Sequence, residues 1–355
     1  MMAKRSFEPV GGELTDRECR VLEAVIRTYV DVAEPTGSRT VARQFDLGVS
    51  PATVRNTMSD LEEKGYLFHP HTSAGRVPTD SAYRFFVDRL IQPSLLSEAE
   101  REHLVQEIDS SSTEVERMVR RATRALSMLA LELGVAIAPR LEGSVLDRLE
   151  LVRASAEKVL MVLRLSSGVV RTVYVDLEGG AADDVLLKVT MVLNERLAGL
   201  TLKEIRENLP ARLRDASEHG VTAEVLNIFI QSGAELFDLS GNAEGRLHLG
   251  HASVLASQPE FTSGEQLKSL IDLTERTDVL SSALRSRDHR SGLRVTIGGE
   301  NEDETLTDFT LVTAEYQLGD LKGVIGVIGP TRMPYEKVIS IVDYTSSLVS
   351  KLLGS

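Results

Sequence analysis

The sequence predicts an α+β chain of several domains: a small helical unit closed by a β-ribbon at the N-terminus, then a sheet domain interrupted by a mostly helical segment. Three observations carry that reading. A length of 355 residues leaves room for two or three cores. Helical periodicity dominates residues 15 to 90 and ends on a short ribbon. Strand patterns occur in two separate stretches, 158–177 and 295–329, with helical patches between them.

The first helix begins at Thr15-Asp16-Arg17-Glu18, a capping box in which hydroxyl and carboxylate satisfy each other's backbone donors, with Leu14 and Cys19 as a hydrophobic staple. Val21, Leu22, Val25, Ile26 and Tyr29 give it one apolar face. After Pro35-Thr36-Gly37-Ser38 a short second helix turns Val41, Ala42 and Phe45 inward, and Asp46-Leu47-Gly48 reads as a turn. The third helix starts with Ser50 as N-cap and Pro51 at the first helical position, where a missing N–H costs nothing, and buries Val54, Met58 and Leu61 before Gly65 ends it. Tyr66-Leu67-Phe68 and Arg76-Val77 flank the loop 70–75 as a two-stranded ribbon, and a helix capped near Thr79 carries Tyr83, Phe86, Val87 and Leu90. Three helices and a ribbon in this order describe a winged helix-turn-helix.

Residues 93–112 are polar and Ser/Glu-rich, suited to a linker or a surface helix, so a boundary falls near 105. A long amphipathic helix follows, with Thr113 and Glu116 as a capping box and Val115, Met118, Val119, Ala122, Leu126, Leu129 and Leu133 along one face. KVLMVLRL at 158–165 and VVRTVYVDL at 169–177 flank Ser166-Ser167-Gly168 as a hairpin, and a helix runs from about 182 to 197. The stretch 206–287 shows helical patches at 224–237 and 265–284 and no strand pair. VTIGG (295–299), LTDFTLVTAEYQL (306–318) and GVIGVIG (323–329) restore strand character before a final helix from Val338 to Leu352. Later strands need partners and the earlier hairpin offers an edge, so the economical partition is 1–105, 106–205, an insertion at 206–287, and 288–355 completing the interrupted domain.

With 42% hydrophobic and 26% charged residues the chain is neither disordered nor fibrous. No apolar run reaches the ~18 residues of a membrane span and the opening MMAKRSFEPVGGE lacks an apolar signal core, so a cytoplasmic protein with no membrane partner is expected. The single cysteine, Cys19, excludes an intrachain disulfide and any multi-thiolate zinc site, and reads as a small buried hydrophobe. A net charge of -13 argues against bulk electrostatic coating of nucleic acid, but the charge is uneven. Residues 1–90 carry 12 Lys/Arg against 13 Asp/Glu, and the stretch from His69 to Thr79 holds no acid at all.

The third helix is the best candidate for function, because the second helix of a helix-turn-helix presents its N-terminal residues to base edges. Asn56 points away from the buried stripe, Ala52 and Ser59 share its face, and Thr53 and Arg55 flank it. Asn and Arg match the major-groove edges of adenine and guanine. Ser50 belongs to the same end of the helix. The loop with His71, Thr72, Ser73 and Arg76 has the hydroxyls and guanidinium of a wing that grips phosphate or enters a minor groove. Arg39, Arg43 and Lys64 are placed either on backbone phosphates or as solvated cations. His69 with His71 is too sparse for a metal site, His248-Leu249-Gly250-His251 reads as a surface loop, and Gly323, Gly326 and Gly329 read as close packing in a core strand rather than a dinucleotide fingerprint. No phosphate loop, nucleophile elbow or acid/base constellation supports an enzyme, and no cofactor or metal is expected.

SPATVRNTMSDLEEKGYL at 50–67 and PHTSAGRVPTDSAYR at 70–84 resemble the heat-inducible transcription repressor family, HrcA, as do EPTGSRTVA at 34–42, IGGEN at 297–301 and GVIGVIGPTRMPYEKVISIVDYTS at 323–346. The resemblance implies a homodimeric repressor whose winged heads bind an inverted repeat, the CIRCE operator, upstream of chaperone genes. It implies that the middle domain is GAF-like, that the inserted segment contributes to dimerisation, and that the GroEL chaperonin keeps the repressor active until heat-damaged clients compete. The family's DNA-reading region falls on Ser50 to Ser59 and its wing on His71 to Pro78. A metabolite sensor built on the GAF-like domain and a protein-interaction scaffold are the competing readings.

Overall fold

The computed structural model describes residues 13–71, 74–92, 94–108, 115–139, 141–177, 179–214, 221–237, 247–286, 292–319 and 321–353. Helix α1 (Asp16–Val32) starts on the predicted box: Glu18 N donates to Thr15 Oγ1 at 3.3 Å and Thr15 N to Glu18 Oε2 at 2.8 Å. Its face Val21, Leu22, Val25 and Ile26 is buried, and it packs on α3 (Pro51–Glu63), which α2 (Ser38–Gln44) precedes. Strands β1 (Leu67–Phe68) and β2 (Val77–Pro78) pair antiparallel, Leu67 opposite Pro78. Thr79 caps α4 (Asp80–Phe85), which continues into one π-helical turn, Phe86–Leu90. The polar segment beyond it contains a packed helix, α5 (Glu98–Ile108), because Leu104 and Ile108 are buried against the core.

Helix α6 (Val115–Ala130) is shorter than the periodicity predicts. Leu131 takes a left-handed φ of 57° and Leu133 begins a strand, β3 (Leu133–Ile137), every residue of which is buried, so its apolar run imitates a continuing helix face. Thr113 of the expected capping box lies outside the described residues. The chain then forms β4 (Leu146–Arg153), β5 (Lys158–Leu165), β6 (Val170–Asp176), α7 (Asp183–Leu197), α8 (Leu202–Leu213) and α9 (Val221–Leu236). After these come β7 (Leu247–Leu249), α10 (Ser253–Ala256), α11 (Gly264–Glu275) and α12 (Thr277–Arg285), then β8 (Arg294–Ile297), β9 (Phe309–Leu318), β10 (Leu321–Pro330) and α13 (Tyr335–Leu353).

Two sheets follow from this order, and they correct one expectation. The hairpin β5–β6 does not lend an edge to the later strands: it pairs with β4 in a separate three-stranded sheet, while β8, β9 and β10 join β3 and β7 in the order β7-β3-β10-β9-β8. The three-stranded sheet shares a core with α7, α8 and α9 through Leu149, Met161, Leu163, Val189, Leu193, Leu209 and Phe229, a cluster that runs across residue 206. Strand β7 also lies within 206–287, a single strand that pairs with β3 and so agrees with the absence of a strand pair in that stretch. His248 opposes Ala136 there and is buried, so His248 and Leu249 belong to the sheet edge and not to a surface loop, while His251 beyond them is exposed. Three residues are too few to show an alternation.

The five-stranded sheet is covered on both faces. Ala136, Val312, Ile325 and Val327 face α6 and α13, and Leu133, Val135, Leu311 and Ile328 face Leu255, Leu270, Leu280 and Leu284. At its centre Gly326 admits no side chain, since a Cβ there would stand 2.1 Å from Val312 O. The core facing α13 continues into α1, α3 and α4, and polar contacts ring the junction. Arg27 forms a fork on Glu336, Arg84 bonds both carboxylate oxygens of Glu300 at 2.8 and 2.7 Å, and Gly299 N donates to Asp80 Oδ2 at 3.1 Å. Arg332 donates to Val30 O and pairs with Glu260. No helix among the described residues is long and apolar enough to cross a membrane.

Beside this junction Glu132 is buried, with one bond from Gln258 Nε2 at 3.2 Å. Burial pushes its carboxyl well above the usual range, and the Gln258 hydrogen bond and the Arg332 charge oppose that only in part. A carboxyl raised in the folded state binds more protons there than in the unfolded chain, so its contribution to stability is lost as pH rises from the unfolded carboxylate range through the folded value. Glu132→Gln is therefore expected to raise stability at neutral pH and to flatten that decline; denaturant melts of both proteins between pH 4 and pH 8 check it, and parallel curves would refute the assignment.

Candidate nucleic-acid interface

The turn before α3 is held from both sides. Arg20 Nη2 donates to Asp46 O at 3.0 Å, and Thr28 Oγ1 donates to Gln44 Oε1 at 3.1 Å, tying the end of α2 to α1. Ser50 caps α3 by accepting from Thr53 N at 3.2 Å, and the two hydroxyls lie 3.0 Å apart, so both side chains are occupied with the helix start. Val54, Thr57, Met58 and Leu61 are buried. The opposite face presents Arg55 and Asn56, both exposed and without a hydrogen bond or ion pair among the described residues. Arg39 and Arg43 stand exposed on α2 in the same condition. This leaves donors free beside the N-terminal end of a helix, the arrangement that base-edge and phosphate contacts require.

The ribbon is fastened at its base. Thr36 and Arg76 exchange backbone bonds of 2.8 and 2.9 Å, and Gly75 lies so close that a Cβ would stand 2.4 Å from the Thr36 carbonyl carbon. Thr79 Oγ1 donates to Gly65 O at 2.8 Å, joining the exit of the ribbon to the end of α3. His71 is exposed, while Thr72 and Ser73 lie outside the described residues.

Two of the expected cations are engaged internally. Lys64 Nζ sits 2.7 Å from Glu18 Oε1, and Arg76 Nη2 sits 2.9 Å from Glu62 Oε2 and 3.4 Å from Ser59 Oγ. Glu62 also takes His69 Nδ1 at 2.6 Å on its other oxygen, so one carboxylate joins α3 to both sides of the ribbon. Burial pushes the Glu18 carboxyl up, but the Lys64 hydrogen bond and the two Thr15 donors outweigh it and leave the group below its usual value. Cys19 is half-buried with its thiol toward Leu14 O, and burial followed by Asp16 and Glu18 raises its pKa. Glu62, Gln44 and Thr28 were not singled out from sequence. The acid-free stretch from His69 to Thr79 was the available signal, since its Arg76 guanidinium needs a counter-charge, which Glu62 supplies from three residues beyond Ser59.

Elsewhere, a cavity of about 220 Å³ lies between α12 and the turn after β8, lined by Arg294, Thr296, Glu300, Asn301 and Asp303 among others. Among the described residues no three His, Cys, Asp or Glu side chains gather to hold a metal ion.

The family model for the HrcA protein C-terminal domain matches residues 116–339. The heat-inducible transcription repressor HrcA of Chlorobium chlorochromatii is 36% identical over 348 residues, covering 96% of this chain and 98% of its own. The chain belongs to the HrcA family. The HrcA of Halalkalibacterium halodurans is 34% identical over 343 residues, again covering 96% of this chain and 98% of its own. A crystal structure described as a hypothetical protein shares the fold at a TM-score of 0.67 and 20% identity, covering 96% of this chain and 99% of that one. Because the HrcA model begins at residue 116, the assignment of α1 to α5 to the family rests on the full-length relatives.

Lys64 thus serves the packing of α3 on α1. Lys64→Ala should cost about 1–3 kcal/mol of stability, because it strands the nearly buried Glu18 carboxylate, and the loss should shrink as pH falls and Glu18 is protonated. Thermal melts at neutral and acid pH test this; an unchanged melting temperature at neutral pH would contradict it.

Proposed function

We propose that this chain is a heat-inducible transcription repressor of chaperone genes that binds an inverted-repeat operator of the CIRCE type as a homodimer. The observation that carries the reading is the exposed pair Arg55 and Asn56, without a partner among the described residues, at the start of a capped helix that follows a tight turn. Full-length relatives named as repressors support it.

In this reading α2 and α3 are the helix-turn-helix and β1 and β2 flank the wing. Asn56 and Arg55 read base edges, bidentate pairing being worth about 1–3 kcal/mol of discrimination each. Arg39 and Arg43 hold backbone phosphates, Thr53 and Ser59 border the groove, and Ser50 contributes chiefly by starting the helix. His71 and the tip residues Thr72 and Ser73 approach the duplex from the wing. The five-stranded sheet with α6 and α13 is the GAF-like body. The insertion is better placed at 141–237, where the three-stranded sheet and α7 to α9 share their own core, than at 206–287. Exposed Val170, Tyr174, Leu187 and Met191 make that unit the preferred dimer contact.

Control by the GroEL chaperonin requires a marginally stable repressor whose active fraction the chaperone can raise. Fluorescence anisotropy with a labelled inverted-repeat duplex and a scrambled one, across a salt series, should show a preference of ~10³ or more for the repeat. Equal weak binding to both would remove the reading. Asn56→Ala should compress that preference while leaving scrambled-duplex binding in place. Chaperonin with ATP should increase operator-binding activity per mole, and no increase in a partly inactive preparation would exclude that control.

A further inference from the structure

Glu62 is the one carboxylate that touches both sides of the ribbon from α3. Its Oε2 lies 2.9 Å from Arg76 Nη2 and its Oε1 2.6 Å from His69 Nδ1. The Arg76 side chain is only 14% exposed, its Nε is buried without a partner among the described residues, and its other polar neighbour is Ser59 Oγ at 3.4 Å. A guanidinium in that position is poorly placed to grip a phosphate. It depends on Glu62, and removing either member strands the other in a half-buried site.

We propose that Glu62 is a positioning residue that fixes the angle between the ribbon and α3, and that Arg76 acts on DNA through Glu62 rather than by contacting a phosphate. The proposal rests on the reading of α3 and the ribbon as the DNA-binding surface. Its mechanical basis does not. Among the described residues the polar links between α3 and the ribbon are Glu62 to His69 and Arg76, with Ser59 Oγ beside the same guanidinium, at one end and Thr79 Oγ1 to Gly65 O just past α3 at the other. The Thr79 link holds the ribbon's exit. The Glu62 link, beside the Thr36–Arg76 backbone pair, holds the strand ends that lead to His71, so it bears on where His71 lies relative to Arg55 and Asn56. A ribbon free to swing offers its contacts in many orientations and pays for ordering them on binding.

The test uses the full-length protein with Glu62→Gln, Arg76→Ala, the double variant and Arg76→Lys. In the absence of DNA, hydrogen exchange of the Arg76 amide, which donates to Thr36 O at 2.9 Å, should accelerate about tenfold in Glu62→Gln and Arg76→Ala. Affinity for the inverted-repeat duplex should fall about tenfold in each, with the double variant no weaker than either single, since both remove the Glu62–Arg76 ion pair. The slope of log K against log salt should stay at the wild-type value in all of them. Arg76→Lys keeps one donor toward Glu62 and should bind within about threefold of wild type, which separates loss of the link from loss of folding.

A phosphate contact gives a different pattern: Arg76→Ala lowers the slope by about 0.9 and Glu62→Gln tightens binding by releasing the guanidinium. That pattern, additive losses in the double variant, or unchanged exchange overturns the proposal. A wild-type protein that treats repeat and scrambled duplexes alike removes the DNA-binding reading instead, and the exchange data alone then decide whether Glu62 holds the ribbon.

Discussion

Three arginines cross between the N-terminal helices and the sheet body, and the direction in which α3 points depends on them. Arg27 reaches from α1 to Glu336 at the start of α13 while lying 5.7 Å over the Phe86 ring. Arg84 grips Glu300, and Arg332 reaches back to the carbonyl of Val30 near the end of α1. Forked guanidinium contacts fix angle as well as distance, which a lysine in their place does not do. Between them the apolar centre is closed by Tyr83 and Tyr335, rings 5.7 Å apart. The turn that receives Arg84 has room only because Gly298, at φ 53°, carries no Cβ; one would stand 2.0 Å from the Asp80 carboxylate. The orientation of α3 is therefore held by contacts remote from its exposed face.

The electrostatics of that surface are local. The protein is strongly acidic as a whole, and the first 90 residues are close to neutral. Several of their cations are spent on internal partners: Lys64 on Glu18, Arg76 on Glu62, Arg27 and Arg84 on the body. Arg39, Arg43 and Arg55 stay outside such pairs among the described residues. On the proposed reading, an acidic chain meets a polyanion through a few placed donors and keeps its own carboxylates off the contact face, so specificity weighs more than bulk attraction.

Much of the N-terminal unit was legible because its signals are short-range. The Thr15/Glu18 box, the Ser50-Pro51 start, the glycine stop at Gly65 and the Thr79 cap each involve residues within a turn of one another, and each appears where the spacing places it. The outward position of Asn56 follows from helical geometry once Val54, Met58 and Leu61 are inward. The body was less legible. β3 is buried on both faces and merges into the apolar pattern of α6, β7 is three residues long, and the hairpin carries no local sign that its partner is β4. Strand pairing joins residues more than a hundred positions apart, Ile137 with Val324 for example, and nothing in a local pattern encodes that choice.

The sequence by itself determined the family, the order of the N-terminal elements and which side chains of α3 face outward, since capping, periodicity and motif identity are properties of neighbouring residues. Tertiary structure alone decided which cations remain available. Whether Lys64, Arg76 or Arg55 meets a phosphate depends on which carboxylate stands within about 3 Å, and Glu18 lies 46 residues from Lys64. It also decided that the hairpin pairs with β4 over a separate core, because β3 and β8 take the places beside the β9–β10 pair and the two sheets meet around Leu318 and Leu321. Charge and pairing partners act through space, so a linear reading names the groups and the folded chain assigns their duties.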